Sequence, residues 1–145
     1  MRVVVTIPAY NEERTIAGVI NGILEAVKPL KKGNTFSVLV VDDGSRDNTA
    51  AVASKAGADV VSHPRNFGLA ETFRTEMKEC LRMKADVIIH IDADGQYRAT
   101  DIPRLLAKID EGYDLVLGSR FLGTIEYMPW LKRWGNRAFS KVISN

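Results

Sequence analysis

Two aspartates stand one residue apart directly after an apolar run, in the segment "VIIHIDADGQ" at residues 87–96. In an extended chain alternate side chains point to the same side, so Asp92 and Asp94 are expected to face one way. Carboxylates this close repel each other unless a cation or a proton lies between them. Mg²⁺ and Mn²⁺ take oxygen ligands and are commonly held by one or two carboxylates and a substrate's phosphates. The pair predicts a divalent metal site or, alternatively, a solvated turn whose aspartates bond their own backbone.

A second acidic pair, Asp42 and Asp43, lies in "VVDDGS". An acidic residue at the end of a strand can accept hydrogen bonds from the ribose or base of a nucleotide. The alternative is an Asx turn closed by Gly44 and Ser45, with Asp47 capping the next helix. Both can hold together if one aspartate is structural and the other faces a ligand.

The predicted secondary structure around these carboxylates alternates between strand and helix. β-Branched runs predict strands at 2–7, 36–41, 58–63, 86–91 and 113–119. Helical periodicity predicts helices at 12–27, about 45–56, 68–82 and 101–111, with further helix beyond residue 129. We expect Pro8 to end the first strand and Asp101 to cap the fourth helix, with Pro103 in its first turn. This order predicts a three-layer α/β/α fold with a mostly parallel sheet.

Ligands of such sheets bind beyond the carboxyl ends of the strands. The segments in that position are "PAYNEE", "DDGSRDNT", "HPRNFG", "DADGQ" and "GSRF", and they contain nearly all of the acidic, asparagine and glycine signal. The carboxylates of both pairs are therefore expected to meet at one edge of the sheet.

The composition indicates one ordinary globular domain spanning residues 1–145. The chain is 46% hydrophobic and 26% charged, which is typical of soluble proteins. A net charge of +2 gives no support for a nucleic-acid partner. Cys80 is the single cysteine, which excludes an intramolecular disulfide and suits a reducing compartment. The sequence shows neither a signal peptide nor an apolar run of the roughly 18 residues that a membrane span needs, so we predict a cytoplasmic location.

With these segments in place, the chain resembles the family 2 glycosyltransferases of the GT-A fold, which is Rossmann-like. The closest resemblance is to the dolichyl- and polyprenyl-phosphate sugar synthases. It rests on "IPAYNEE", "VVDDGSRDNT", "NFGLA", "IDADGQ" followed by "DIP", and "GSRF", in the family's order and over essentially the whole chain.

The resemblance implies a role for each matching residue. Asp92 and Asp94 would hold Mn²⁺ or Mg²⁺ against the diphosphate of the donor. Arg120 would meet a phosphate and, with Asp94, serve the chemistry. The remaining implied donor-binding residues are Pro8, Tyr10, Glu12, Val41, Asp43, Ala93 and Gln96. The chemistry agrees, because a fixed cation stabilises the charge that develops on a leaving diphosphate.

The sequence departs from the family pattern in two places. Many members carry glycine where Glu76 stands, and we interpret Glu76 as a solvated helix position. Members also usually continue into a segment with an acidic catalytic base and the acceptor site, which we expect residues 1–145 to lack. A lipid phosphate is already anionic and can attack without a general base, unlike a sugar hydroxyl.

The function predicted from these features is an inverting, metal-dependent transfer of a sugar from a UDP- or GDP-linked donor to dolichyl or polyprenyl phosphate. Inversion follows from the resemblance and from the lack of an evident covalent nucleophile. The alternative is a nucleotide-sugar binding module without turnover. A sugar nucleotidyltransferase is disfavoured, because "PAYNEE" is not the glycine-rich, basic loop of that class.

The segment 120–145 carries five basic residues and one acid, Glu126, together with Trp130 and Trp134. Tryptophan mixed with basic residues suits a peripheral position on the cytoplasmic membrane face, whereas packing of an amphipathic helix on the core explains the same pattern.

The two histidines and the cysteine are also interpreted from the sequence. His90 is either a buried, hydrogen-bonded side chain or a third metal ligand, and His63 is interpreted as a turn residue. Cys80 is expected in the core.

Overall fold

The computed structural model describes residues 1–31 and 33–118. These residues form a four-stranded parallel sheet in the order β3-β2-β1-β4, flanked by four α-helices. The elements are β1 (Arg2–Ala9), α1 (Ile16–Val27), β2 (Thr35–Asp42), α2 (Thr49–Lys55), β3 (Asp59–Ser62), α3 (Leu69–Arg82), β4 (Val87–His90) and α4 (Ile102–Asp110). Short 3₁₀ turns occupy Lys28–Leu30 and Ala99–Asp101. The predicted α/β fold with a parallel sheet is confirmed.

Both faces of the sheet are buried, and alternation along β1 divides the core into two clusters. Val3, Val5 and Ile7 pack on one face with apolar side chains of α1, α2 and α4, whereas Val4 faces the other way toward Cys80 of α3. Parallel strands covered on both faces must be apolar throughout, which explains the run "VVVTI" in β1. Cys80 is fully buried, as predicted.

The sheet changes direction of growth between β1 and β4. The strands β1, β2 and β3 extend the sheet one way, with α1 and α2 on one face, and the chain then crosses through α3 on the other face to place β4 beside β1. The carboxyl ends of β1 and β4 therefore diverge into a crevice at the switch point. Open α/β sheets bind their ligands at this position.

The prediction that Pro8 ends the first strand was wrong, since β1 runs on to Ala9. In this parallel strand Ile7 and Ala9 bond toward β2, and the amide of Asp43 donates to the Ala9 carbonyl at 2.8 Å. The backbone of Pro8 points the other way, toward the β4 side. It lies beyond the last residue pair of the β1–β4 ladder, which joins Thr6 to His90. The missing N–H of proline consequently removes no hydrogen bond from the ladder.

Helix α1 begins at Ile16 rather than Glu12, and the segment before it is bound to the loop after β2. The backbone N–H groups of Asn11, Glu12 and Glu13 donate to side chains of residues 45–49. Asn11 also adopts a left-handed conformation, with φ of 57°. The loop after β1 is thus tied to the loop after β2.

Two helix-start predictions were also wrong in part. Neither α2 nor α4 has a side-chain hydrogen bond from its N-cap residue, Asn48 and Asp101 respectively. Asp47, the residue before the N-cap, nevertheless accepts a hydrogen bond from the amide of Thr49 at 3.0 Å. It therefore provides an acceptor for the first turn of α2. Pro103 does lie in the first turn of α4.

The predicted fifth strand is absent from the residues that the structure describes up to 118. Residues 113–118 have no strand pairing, and the side chains of Leu115 and Leu117 are exposed. A strand requires a partner ladder, which the β-branched and aromatic composition of this segment does not supply by itself. Ser119, Arg120 and the predicted C-terminal helix lie outside the described residues.

Candidate functional site

A cleft of about 270 Å³ opens at the switch point of the sheet. It is lined by the segments after β1 and β4, by the end of β2 and by the start of α3. The predicted site residues that line it are Pro8, Tyr10, Glu12, Asp43, Asp92, Ala93 and Asp94. The expected convergence of residues that follow different strands is therefore present in the structure.

The two aspartates of "DAD" lie on a turn rather than on an extended segment, yet both line the same cleft. Ala93 between them is buried against the core, which anchors the turn. Asp94 accepts the amide of Gln96 at 2.9 Å, as in the alternative interpretation of a solvated turn. Gly95 has a φ of 72°, which glycine adopts without strain. The turn geometry and a metal-binding role are compatible, because a carboxylate has about four acceptor positions.

The two aspartates of the second acidic pair have different hydrogen-bond partners, and a ligand contact of Asp43 stays a prediction. Asp42 accepts the amide of Ser45 at 3.2 Å and so closes the turn. Asp43 lines the cleft and accepts three hydrogen bonds, from the ring Nδ1 of His63 at 2.8 Å and from the amides of Phe67 and Gly68 at 2.9 and 2.8 Å.

These hydrogen bonds fix the charge of Asp43. Burial by itself raises the pKa of this carboxyl, but the bonds from His63, Phe67 and Gly68 outweigh burial, and its pKa lies below the usual value. The second ring nitrogen of His63 contacts the Thr75 hydroxyl of α3 at 2.9 Å. His63 is therefore a structural link between Asp43 and α3 rather than only a turn residue.

Glu76 was wrongly interpreted as a solvated helix position. Its side chain is fully buried between α3 and the sheet, with an exposure of 0%. Its Oε2 lies 3.2 Å from the Nδ1 of His90, and neither oxygen makes a well-aligned hydrogen bond with a described residue. The contact is therefore a close approach of Oε2 to the imidazole ring rather than a well-aligned hydrogen bond.

The ring of His90 lies between two carboxylates. Its Nδ1 faces Glu76 and is also 3.4 Å from the Thr6 hydroxyl, and its Nε2 is 3.7 Å from Oδ1 of Asp92. The contact with Glu76 raises the pKa of the His90 ring against the opposing effect of burial, and the charges of Glu76 and Asp92 add to the increase. His90 does not line the cleft, which favours the interpretation of a partly buried, paired side chain over that of a third ligand.

Three predicted site residues are not among those lining the cleft. Val41 is fully buried beside Cys80 in the smaller core cluster, so its side chain is not available to a donor. Gln96 is exposed and engages the turn through its backbone amide. Arg120 lies outside the described residues. Their implied roles remain predictions.

Other residues line the cleft without having been singled out from the sequence, namely Ala9, Asn66, Gly68, Leu69 and Thr72. Three of them belong to the motif "NFGLA", which was noted without a role for any of its members. The signal was thus present, but only the fold shows that this motif crosses the carboxyl ends of β1 and β2.

The residues present suit a divalent cation that a substrate shares. In the parts of the chain that the structure describes, no group of three or more His, Cys, Asp or Glu side chains is arranged to hold a metal. Asp92 and Asp94 offer hard oxygen ligands beside a cleft, and Mg²⁺ and Mn²⁺ are often held by two carboxylates with phosphates and water completing the shell. A bound cation would neutralise charge on a diphosphate.

A larger depression of about 640 Å³ lies at the opposite end of the sheet, among residues that include Met1, Lys31, Lys84 and Asp86. It is open and lies at the amino ends of the strands, where parallel sheets do not place their ligand sites. The smaller cleft is therefore the candidate functional site.

A parallel sheet with a diaspartate turn at its switch point defines the class of GT-A nucleotide-sugar transferases. Mannosyl-3-phosphoglycerate synthase from Rubrobacter xylanophilus superposes with a TM-score of 0.62 and 25% identity over 75% of this chain and 36% of that one. Glucosyl-3-phosphoglycerate synthase from Mycobacterium tuberculosis, crystallised with Mn²⁺, UDP and glucosyl-3-phosphoglycerate, gives a TM-score of 0.59 and 29% identity over 74% and 39%.

The chain belongs to glycosyl transferase family 2, whose family model matches residues 4–143. An uncharacterised protein of Methanocaldococcus jannaschii is 39% identical over 91% of this chain and 53% of its own length. The undecaprenyl-phosphate 4-deoxy-4-formamido-L-arabinose transferase of an Enterobacter species is 33% identical over 99% and 43%. The glycosyltransferase AglJ of Haloferax volcanii is 35% identical over 94% and 42%. The chain spans about half the length of these curated relatives.

No helix among residues 1–31 and 33–118 combines the length and apolar character that crossing a bilayer requires.

Proposed function

We propose that the protein transfers a sugar from a nucleotide-diphosphate donor to a lipid-phosphate acceptor of the dolichyl or polyprenyl type, with inversion at the anomeric carbon and with Mn²⁺ or Mg²⁺ as cofactor. The observation that carries the proposal is the convergence of Tyr10, Asp43, Asp92 and Asp94 on one cleft at the switch point.

The cleft residues suit the successive parts of a nucleotide-sugar donor. Tyr10 is 41% exposed, and its aromatic ring would stack on a base. Asp43 uses three acceptor positions within the protein, which leaves about one for a ribose hydroxyl or a base N–H. Asp92 and Asp94 would share a cation with the diphosphate. The mycobacterial synthase was crystallised with Mn²⁺ or Mg²⁺ and UDP, which supports a nucleotide-diphosphate donor that binds with a divalent cation.

A phosphate acceptor fits the chemistry that the cleft offers. Attack by a neutral hydroxyl needs a general base within hydrogen-bond reach of the proton, whereas a phosphate oxygen is already charged. The name of the Enterobacter relative supports a polyprenyl-phosphate acceptor. Arg120 would bind a phosphate through its planar guanidinium.

A lipid-linked acceptor requires access to a membrane surface. We propose that the protein works as a peripheral protein at the cytoplasmic face, where the basic residues and tryptophans of 120–145 would contact lipid headgroups.

Donor binding is tested by calorimetric titration of the purified chain with UDP, GDP and their common sugar conjugates, with and without Mn²⁺. We expect one nucleotide to bind with an affinity that Mn²⁺ increases and that Asp94→Ala returns to the metal-free value. If no nucleotide binds to the demonstrably folded chain, the proposal fails.

Turnover is tested separately with the nucleotide sugar that binds and with polyprenyl phosphate in detergent micelles. We expect a product that carries the sugar with inverted anomeric configuration. Metal-dependent donor binding without any product would instead favour a nucleotide-sugar binding module.

A further inference from the structure

The fully buried carboxylate of Glu76 has no part in the proposed chemistry, although it lies close to the diaspartate turn. An ionised carboxylate removed from water costs several kcal/mol unless a partner compensates it. His90 is that partner, at 3.2 Å. The pair joins the middle of α3 to the last residue of β4, immediately before the turn that carries Asp92 and Asp94.

The two nitrogens of the His90 ring face different carboxylates. Nδ1 lies toward Glu76 and Nε2 toward Oδ1 of Asp92, 3.7 Å away. The ring is also held from the side by Phe73 of α3, with ring centroids 5.6 Å apart at an interplanar angle of 70°. A ring held at its Nδ1 edge by Glu76 and on one side by Phe73 presents its Nε2 edge to Asp92, and this can restrict the rotamer of that side chain.

We propose that Glu76 and His90 are positioning residues that hold Asp92 in the orientation needed to share a divalent cation with the donor diphosphate. This inference rests on the proposed function of Asp92 and Asp94. Partners of this type that orient a metal-binding side chain commonly contribute tenfold or more to metal affinity.

The contact with His90 explains why a carboxylate is tolerated at the buried position 76. An uncharged residue at this position of the helix interior would need no buried partner. Glu76 is tolerated here because His90 lies opposite it, and the two residues therefore act as one unit. Removing only His90 would leave the Glu76 carboxylate buried and uncompensated, and such a loss commonly destabilises a fold.

The test therefore removes both members together. In Glu76→Leu/His90→Leu no buried charge is left without a partner, so the fold is expected to persist, as circular dichroism and thermal unfolding can verify. Binding of Mn²⁺ in the presence of saturating UDP is followed through the electron paramagnetic resonance signal of free Mn²⁺. UDP affinity without metal is measured by calorimetry on the same samples.

We expect the double variant to bind Mn²⁺ about tenfold more weakly than the unmodified protein, with metal-free UDP affinity unchanged. The control is Glu79→Gln, which removes a carboxylate from the same helix at a position away from Asp92. Glu79 contacts Arg82 at 2.6 Å, away from Asp92, and its substitution is expected to leave Mn²⁺ affinity unchanged.

The outcomes distinguish failure of the positioning role from failure of the proposed function. Equal Mn²⁺ affinity in the folded double variant and the unmodified protein overturns the positioning role and leaves the donor site intact. An equal loss in Glu79→Gln also overturns it, since the loss would then not depend on a side chain that faces Asp92. If the unmodified protein itself binds neither UDP nor Mn²⁺, the proposed function has failed first.

Discussion

At the scale of single residues, the site depends on side chains whose role follows from burial rather than from type. Asp42 and Asp43 are adjacent and chemically identical, yet one closes a turn and the other collects three donors beside the cleft. The sequence left these two roles open because both aspartates follow the same strand. The surroundings of Glu76 could not be predicted for a different reason. Nothing in the sequence indicates that this charged helical residue contacts a histidine in the fold.

Asp43 leads to a prediction about acid stability. Its pKa is lowered in the folded protein, so its contribution to stability is fully present above the unfolded-state pKa near 3.9. That contribution is lost as the pH falls through that value to the lower folded pKa. We expect Asp43→Asn to lower the free energy of unfolding by about 2 kcal/mol at pH 7, because an NH₂ group would face the donors of the 63–68 loop.

The measurement is urea unfolding of both proteins between pH 7 and pH 3. The difference in unfolding free energy should narrow steadily below about pH 5, where protonation removes the advantage of the unmodified carboxylate. A difference that stays constant to pH 3 would contradict the assigned pKa shift.

At the scale of elements, the sequence predicted the four described strands and four helices well, because apolar periodicity and β-branched runs report burial directly. Their ends were predicted less well, since these depend on contacts with distant segments. Helix α1 starts at Ile16, after a segment whose amides bind side chains of residues 45–49. Strand β1 continues through Pro8 because β4 has already ended on that side.

The turn after β2 depends on a close approach that the sequence does not reveal. Gly44 has a φ of 70°, and a Cβ built there would lie 2.4 Å from the backbone carbon of Arg65. The 63–68 loop, which donates two amides to Asp43, therefore packs directly on the Gly44 backbone.

We expect Gly44→Ala to destabilise the protein by about 3 kcal/mol, through left-handed strain and a backbone clash. The matched control is Gly112→Ala, which has a φ of 97° and no atom within 4 Å of the added Cβ, so backbone strain alone should cost about 1 kcal/mol. Denaturant unfolding gives both values. Equal losses in the two variants would show that the 63–68 loop yields freely and does not hold Asp43.

At the scale of the whole molecule, the position of the site follows from the order of the strands. Alternation of strand and helix predicted a parallel sheet, but it did not predict that β4 lies beside β1 rather than beside β3. That order alone brings Tyr10 next to the diaspartate turn. Strand order depends on crossovers and on the packing of α3 against the second face, which are properties of the assembled sheet.

Because the proposed ligands span segments from several elements, donor and metal together should stabilise the whole fold. A ligand at about 100 times its dissociation constant adds about 2.7 kcal/mol to the free energy of unfolding. For a chain of this size that corresponds to a rise in Tm of about 5–10 °C. We expect this rise with the cognate nucleoside diphosphate and Mn²⁺, and a smaller one when a chelator replaces the metal.

The measurement is differential scanning fluorimetry of the unmodified protein and of Asp92→Asn. Asp92→Asn should keep the chelator-insensitive part of the rise and lose the metal-dependent part, since its amide is a poorer ligand for a hard cation. An equal rise in Tm with Mn²⁺ and with chelator would show that nucleotide binding does not depend on the diaspartate turn. It would contradict the proposal that a metal binds at this site.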